Sequence, residues 1–210
     1  SMPYKQKVFP YLDEVDEMAR KIGSVNTIVH RDDKLKGYNT DGIGFFRSLP
    51  PAFSIKGKTM VLLGAGGAAL AIIAQAIHLG VKRILVFVRE ERLVHYRSKV
   101  QLLEDAFDFL IELYAIEKNE DVQSSFNQAD LILNATGVGM DGHSLPIASH
   151  LTFPPQALIV EMAYYPAVTP FLQLAVNQGN QRVNGLGMLF YQAEAAFELM
   201  TGKVFPTESV

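Results

Sequence analysis

The chain contains no cysteine, which excludes a disulfide framework, a thiolate metal site and a cysteine nucleophile, and lends secretion no support. It has no run of lysine and arginine and a formal net charge of -3, so neither nucleic acid nor an anionic membrane surface is expected as its main partner. No apolar stretch reaches the ~18 residues of a membrane span, and the N-terminus lacks the basic-then-apolar pattern of a secretory signal. The histidines His30, His78, His95, His143 and His150 show no ligand spacing, so no metal site is expected. Neither a Gly-x-Ser-x-Gly elbow nor a Gly-Lys-Ser/Thr phosphate loop is found, which weakens hydrolase and triphosphatase readings. These absences leave a soluble, cytoplasmic chain whose partner is a small molecule; a homodimer stays open.

What is present is an ordinary globular composition, 49% hydrophobic and 20% charged, with enough apolar surface to bury a core. Its 210 residues suit one large domain or a domain with a smaller companion. Asp13 to Ile22 carries Val15, Met18, Ala19 and Ile22 at helical spacing behind an acidic first turn, which predicts a short amphipathic helix. Val25 to His30 and Leu35 to Tyr38 bracket the polar turn Arg31 to Lys34 and predict a hairpin. Pro50 and Pro51 mark a break.

Beyond it the pattern changes. Thr59 to Leu63 is a continuous apolar run suited to a strand buried on both faces. Ala68 to Leu79 reads as a helix ending at Gly80, and Ile84 to Val88 as a strand. Further strands are predicted at Leu110 to Tyr114, Asp130 to Leu133 and Ala157 to Glu161, with helices between most of them and another after Thr169. Such alternation predicts an α/β fold with a doubly wound parallel sheet. A closing helix from Met188 to Met200 ends at Gly202. The expected division is 1–54, a partial smaller α/β domain; 55–186, the parallel-sheet domain; and 187–210, the closing helix.

The strongest chemical signal is Gly64-Ala65-Gly66-Gly67-Ala68-Ala69, between the first strand of the parallel sheet and its first helix. Glycine there permits a tight turn and close approach of backbone to a pyrophosphate, whose charge the helix N-terminus stabilises. The ordinary alternative is a tight turn that binds nothing. At the end of the second strand a carboxylate would bond the ribose hydroxyls of NAD and a basic group would accept the extra phosphate of NADP. Arg89 and Arg92 flank Glu90 and Glu91 there, and the acidic pair favours NAD, with NADP kept open; a merely solvated charged turn is the alternative.

Several short motifs have no obvious packing purpose: Ser1-Met2-Pro3-Tyr4-Lys5, Gly23-Ser24-Val25-Asn26-Thr27 and Tyr38-Asn39-Thr40-Asp41-Gly42. Together they resemble signatures of the shikimate/quinate dehydrogenase family. Asn134-Ala135-Thr136-Gly137-Val138-Gly139-Met140 is similar to that family's NAT-x-x-GM turn, and Glu161-Met162-Ala163-Tyr164-Tyr165-Pro166 to its segment beside the nicotinamide. Gly185-Leu186-Gly187-Met188-Leu189 with Gln192 is similar to its closing motif. Six motifs in order cover essentially the whole chain.

The resemblance implies a Rossmann dinucleotide-binding domain and an oxidoreductase that moves hydride between a nicotinamide and shikimate or quinate. It implies proton transfer by Lys5 beside Asp41, and substrate contacts from Ser1, Lys5, Asn26, Asp41 and Gln192. For the cofactor it implies Gly64, Ala65, Gly66, Gly67, Ala68, Arg89, Glu90, Glu91, Thr136, Met162, Ala163, Tyr164 and Gly185. Glu90 and Glu91 resemble the NAD-accepting branch of the family more than the branch with an Asn-Arg-Thr turn, from which Val88-Arg89-Glu90 departs twice. Tyr165 and Gly137 also depart from the family pattern.

The family has a further N-terminal stretch with serines that bind the substrate carboxylate, so the chain is expected to begin partway through the substrate domain. The rival expectation is a dinucleotide-binding module without activity. Apart from the resemblance, Lys5 would read as a surface lysine, Asp41 as a turn or helix-capping residue, and Asn26 as a partner for local backbone. Gln192 and Tyr164 would read as packing residues.

Overall fold

The computed structural model describes residues 4–206. A 3-10 turn at Phe9–Tyr11 leads into β1 (Glu14–Val15), α1 (Glu17–Ile22), the hairpin β2 (Thr27–Arg31) and β3 (Lys34–Tyr38), and α2 (Asp41–Arg47). There follow β4 (Thr59–Leu63), α3 (Gly67–His78), β5 (Arg83–Val88), a 3-10 turn at Glu90–Arg92, α4 (Leu93–Phe107), β6 (Ile111–Ala115), α5 (Asn119–Phe126) and β7 (Leu131–Asn134). The chain closes with β8 (Leu158–Glu161), α6 (Pro170–Asn177), β9 (Arg182–Val183) and α7 (Leu186–Thr201).

The larger sheet has the order β6-β5-β4-β7-β8-β9, and every pairing in it is parallel. The chain winds one way from β4 to β6 and then returns to the other side of β4, which makes the β4/β7 boundary the topological switch point where ligands bind beyond the strand C-termini. The central strands have no polar face, as a parallel sheet covered on both sides requires: Met60, Val61, Leu62 and Leu63 are all fully buried. Alternate residues feed two cores. Met60, Leu62, Ile84, Val86, Leu131 and Leu133 meet the small side chains of α3 on one face, while Val61, Leu63, Leu85, Phe87, Ile132 and Ile159 meet Val122, Phe126, Phe171 and Leu172 on the other. This is the doubly wound α/β arrangement expected from the sequence.

The smaller sheet has the order β1-β3-β2, with β2 and β3 antiparallel and β1 parallel to β3. The predicted hairpin is present, but its turn is tighter than the four polar residues suggested. Arg31 pairs with Lys34, and only Asp32 and Asp33 make the turn, both at positive φ (52° and 57°) as a two-residue turn matched to strand twist demands.

The single helix predicted from Asp13 to Ile22 is corrected by the structure. Asp16 adopts an extended backbone and its side chain accepts hydrogen bonds from the backbone N–H groups of Met18 and Ala19, so the helix can begin only after it. Glu14 and Val15 are then free to pair with Lys36 and Gly37.

α2 packs against both α3 and α7. Glycines permit the close approach: a Cβ on Gly42 would lie 2.6 Å from the Ala71 carbonyl oxygen, and one on Gly44 would lie 2.5 Å from the Gln192 nitrogen. The closing helix therefore leaves the parallel sheet and lies along α2, with Arg47 bridging Glu194 at 3.0 Å and Glu198 at 3.4 Å. No helix among the described residues is long and apolar enough to cross a membrane.

Candidate active site

Lys5 and Asp41 are brought together. The Lys5 ammonium donates to Asp41 Oδ2 at 2.5 Å, and both side chains are largely withdrawn from solvent, 18% and 9% exposed. Asp41 is placed by the start of α2, where unpaired helical N–H groups favour a carboxylate, and its own N–H donates to the Asn39 side chain at 3.0 Å. Lys5 is placed by the hydrogen bond from the Val25 N–H to its carbonyl, 2.9 Å.

Asn26 joins the same group. Its amide nitrogen donates to Asp41 Oδ1 at 2.8 Å and to the Thr40 hydroxyl at 3.0 Å, and its amide oxygen accepts from the Thr40 N–H at 3.0 Å. Thr40, fully buried, had no role in the sequence reading although it stood inside the motif that carried Asp41. The cluster combines a half-buried cation, a carboxylate held from two sides and an amide with fixed orientation. Such a set can bind hydroxyl groups and hold or release a proton at the lysine.

The glycine-rich turn opens a second feature. Gly64 has φ +96°, a left-handed conformation, and a Cβ there would lie 3.0 Å from the Ala135 carbonyl oxygen, so glycine is required on both counts. At Gly66 and Gly67 the reverse holds: nothing lies within 4 Å of where a Cβ would be, and α3 begins at this bare backbone without a side-chain cap. A cavity of about 550 Å³ lies over the turn, lined by Gly64, Ala65 and Gly66, by Val88 at the end of β5 with Arg89 and Arg92 beyond it, and by Thr136 beyond β7. Open backbone N–H groups at a helix start, in a cavity of this size, fit a dinucleotide pyrophosphate.

Gly67 and Ala68 begin α3 instead of lining the cavity. Neither Glu90 nor Glu91 lines it either; the 3-10 turn carries Arg92 into it while Glu91 pairs with Arg89 at 3.3 Å. Arg92, one of the two basic groups noted in this turn from the sequence, and Tyr96, which was not singled out there, do line it, with the Arg92 guanidinium over the Tyr96 ring at 5.7 Å.

Met162, Ala163 and Tyr164 line a second cavity of about 440 Å³ with Gly137, Met140 and Tyr165. Gly185 supports it from behind, since its N–H donates to the Ala163 carbonyl at 3.0 Å and a Cβ there would fall 1.9 Å from the Met162 carbonyl oxygen. Between these loops lies Glu161, fully buried. It accepts from Asn134 at 2.8 Å, from Thr169 at 3.0 Å and from the Ala163 N–H at 3.1 Å. Burial pushes its pKa up, against the pull of those hydrogen bonds.

Gln192 sits on α7 against α2, its amide donating to the Leu189 carbonyl at 3.0 Å. Among the described residues no hydrogen bond links it to Lys5, Asn26 or Asp41. Ser1 lies outside the described residues. No group of three or more His, Cys, Asp or Glu able to hold a metal ion occurs among the described residues.

A switch-point cavity over a glycine turn, on a sheet of Rossmann order, marks a dinucleotide-binding protein built from a parallel sheet and a smaller companion. Family models agree: the shikimate dehydrogenase substrate binding domain matches residues 1–28 and the shikimate 5'-dehydrogenase C-terminal domain matches residues 185–210. Over all 210 residues the chain is 55% identical to a shikimate dehydrogenase (NADP(+)) of Streptococcus gordonii, covering 73% of that protein. It superimposes with a TM-score of 0.92 on shikimate 5-dehydrogenase from Listeria monocytogenes in complex with shikimate and NAD, at 37% identity over 99% of this chain and 73% of that one. With quinate dehydrogenase from Corynebacterium glutamicum in complex with NAD the TM-score is 0.84, at 30% identity over 97% of this chain and 71% of that one. The chain belongs to the shikimate dehydrogenase family.

Proposed function

We propose that the chain catalyses reversible, dinucleotide-dependent interconversion of 3-dehydroshikimate and shikimate, a step of aromatic amino acid biosynthesis, in the cytoplasm. Quinate, with 3-dehydroquinate as its oxidised partner, is a second substrate of the same chemistry. The observation that carries this reading is the Lys5–Asp41–Asn26 cluster, whose Asp41 opens the helix that packs directly against α3, the helix that begins just after the glycine turn lining the dinucleotide cavity.

In this reading residues 1–54 form the substrate part, 55–186 the dinucleotide domain, and 187–210 the helix that returns to the substrate part. The bound dinucleotide supplies or accepts the hydride. Lys5 gives a proton to the oxygen of the carbonyl being reduced, or takes it from the hydroxyl being oxidised. Asp41 keeps the amine aimed and accepts a hydrogen bond from the same hydroxyl region, and Asn26 fixes Asp41. Ser1 and Gln192 complete the substrate contacts.

On the cofactor side, Gly64, Ala65 and Gly66 with the start of α3 at Gly67 and Ala68 receive the pyrophosphate, and Thr136 borders it. Met162, Ala163 and Tyr164, backed by Gly185, receive the nicotinamide. Arg89 and Arg92 line the cavity and suit a 2'-phosphate, and a relative 55% identical to the chain is named for NADP(+). Glu90 and Glu91, on which the sequence reading leaned toward NAD, stay outside it. NADP is therefore accepted alongside NAD.

The test mixes the chain with shikimate or quinate and either dinucleotide, following nicotinamide absorbance and, in the same samples, dinucleotide binding by calorimetry. Turnover supports the enzyme. Binding without turnover points to a dinucleotide-binding module, and absence of both overturns the proposal.

A further inference from the structure

We propose that Glu117 is a specificity-determining residue that holds down the affinity of the site for dinucleotides carrying a 2'-phosphate; this rests on the dinucleotide reading of the cavity over Gly64 to Gly66. Glu117 stands just beyond β6, and both of its carboxylate oxygens accept from the Glu90 N–H, at 3.1 and 3.2 Å. Glu90 opens the 3-10 turn that follows β5, between Arg89 and Arg92; Ile116 lines the cavity with those two arginines, while Glu90 and Glu117 lie outside its lining, so the Glu117 charge acts on the cavity from the neighbouring turn.

The C-terminal end of the second strand is where a dinucleotide presents the 2'-position of its adenosine ribose. An exposed backbone N–H between two guanidinium groups would be a phosphate receptor of familiar chemistry. Here one component is already engaged by a carboxylate. Arg89 is partly neutralised as well, through its 3.3 Å pair with Glu91. Arg92 has no carboxylate within ion-pair distance among the described residues and remains the cation available to the cavity.

A 2'-phosphate arriving at this turn meets the Glu117 charge and an N–H that is already bonded, whereas a 2'-hydroxyl brings no charge and is indifferent to the first of these. Glu117 therefore acts on NADP and leaves NAD nearly untouched. Because Glu117 is exposed, its substitution leaves the core intact.

The experiment measures calorimetric Kd values for NAD and for NADP, at low ionic strength, on the wild-type chain and on Glu117→Gln, which keeps an acceptor for the Glu90 N–H and removes only the charge. The expected result is a fall of about tenfold in the ratio Kd(NADP)/Kd(NAD), with the Kd for NAD changed by less than about twofold, and a smaller fall at high salt where such charges are screened. Glu117→Ala, which also frees the N–H, lowers the ratio at least as far. Both nucleotides bound with an unchanged ratio overturns the role of Glu117 alone. Neither nucleotide bound by the wild-type chain overturns the dinucleotide reading and this inference with it.

Discussion

The Lys5 ammonium lies 2.5 Å from Asp41 Oδ2 although the two residues are 36 positions apart, and the other oxygen of the same carboxylate accepts from Asn26 at 2.8 Å. Asp41 is thus shared between the amine and the amide. Asp41→Asn keeps the shape and removes the charge that aims the lysine. Turnover of shikimate is expected to fall by at least about 10²-fold, within the range of a positioned acid/base, while the calorimetric Kd for the dinucleotide changes less than about twofold. Turnover within a few-fold of wild type contradicts the role given to Asp41.

Gly66 tests the cavity without disturbing the fold. Its φ is -70° and a Cβ there would meet nothing within 4 Å, so Gly66→Ala is expected to leave the denaturation midpoint unchanged. The added methyl group would occupy space through which the pyrophosphate approaches, and dinucleotide affinity should drop by about tenfold or more, equivalent to at least about 1.4 kcal/mol. Unaltered affinity would place the pyrophosphate elsewhere.

Gly44 tests the packing that holds α7 on α2. A Cβ there would lie 2.5 Å from the Gln192 nitrogen and 2.8 Å from its Cα, backbone atoms that cannot swing aside. Gly44→Ala should destabilise the chain by about 1–3 kcal/mol through overpacking, read from denaturant unfolding. Stability equal to wild type would mean that the two helices separate readily.

Glu161 carries a pH signature. Its folded pKa is raised by burial, so its protonated form is the one folding favours. Its contribution to stability is therefore full below the ordinary glutamate pKa and is lost as pH rises through the higher folded value. Glu161→Gln cannot ionise. The stability of wild type minus that of the variant should decline as pH rises through this window and level off above it, measured by denaturation at a series of pH values. A difference that grows with pH would reverse the assignment.

The parallel sheet was readable because its strands carry unbroken apolar runs such as Met60 to Leu63, and a buried strand needs little else. Elements chosen by their neighbours were not. β9 has only Arg182 and Val183, recruited by backbone pairing with β8. α2 contains Gly42 and Gly44, poor helix formers, tolerated because Ala71 and Gln192 press against them. Helical periodicity carried the predicted first helix too far toward the N-terminus, since it is blind to the cap at Asp16.

The cofactor turn announced itself by its glycines, whereas the direction in which the charges after β5 point depends on a 3-10 turn that composition does not encode. The pairing of Lys5 with Asp41 could come only from family resemblance. No spacing rule joins residues on two different segments of a fold.

The central claim is that Lys5 handles the proton, and the most direct measurement compares shikimate oxidation by Lys5→Ala and by the wild-type chain, at saturating dinucleotide, with dinucleotide affinity determined on the same preparations. The account predicts turnover lowered by about 10²–10⁴-fold, as for loss of a general acid/base, with dinucleotide Kd unchanged within about twofold. Turnover close to wild type, with the fold and dinucleotide binding intact, would contradict it.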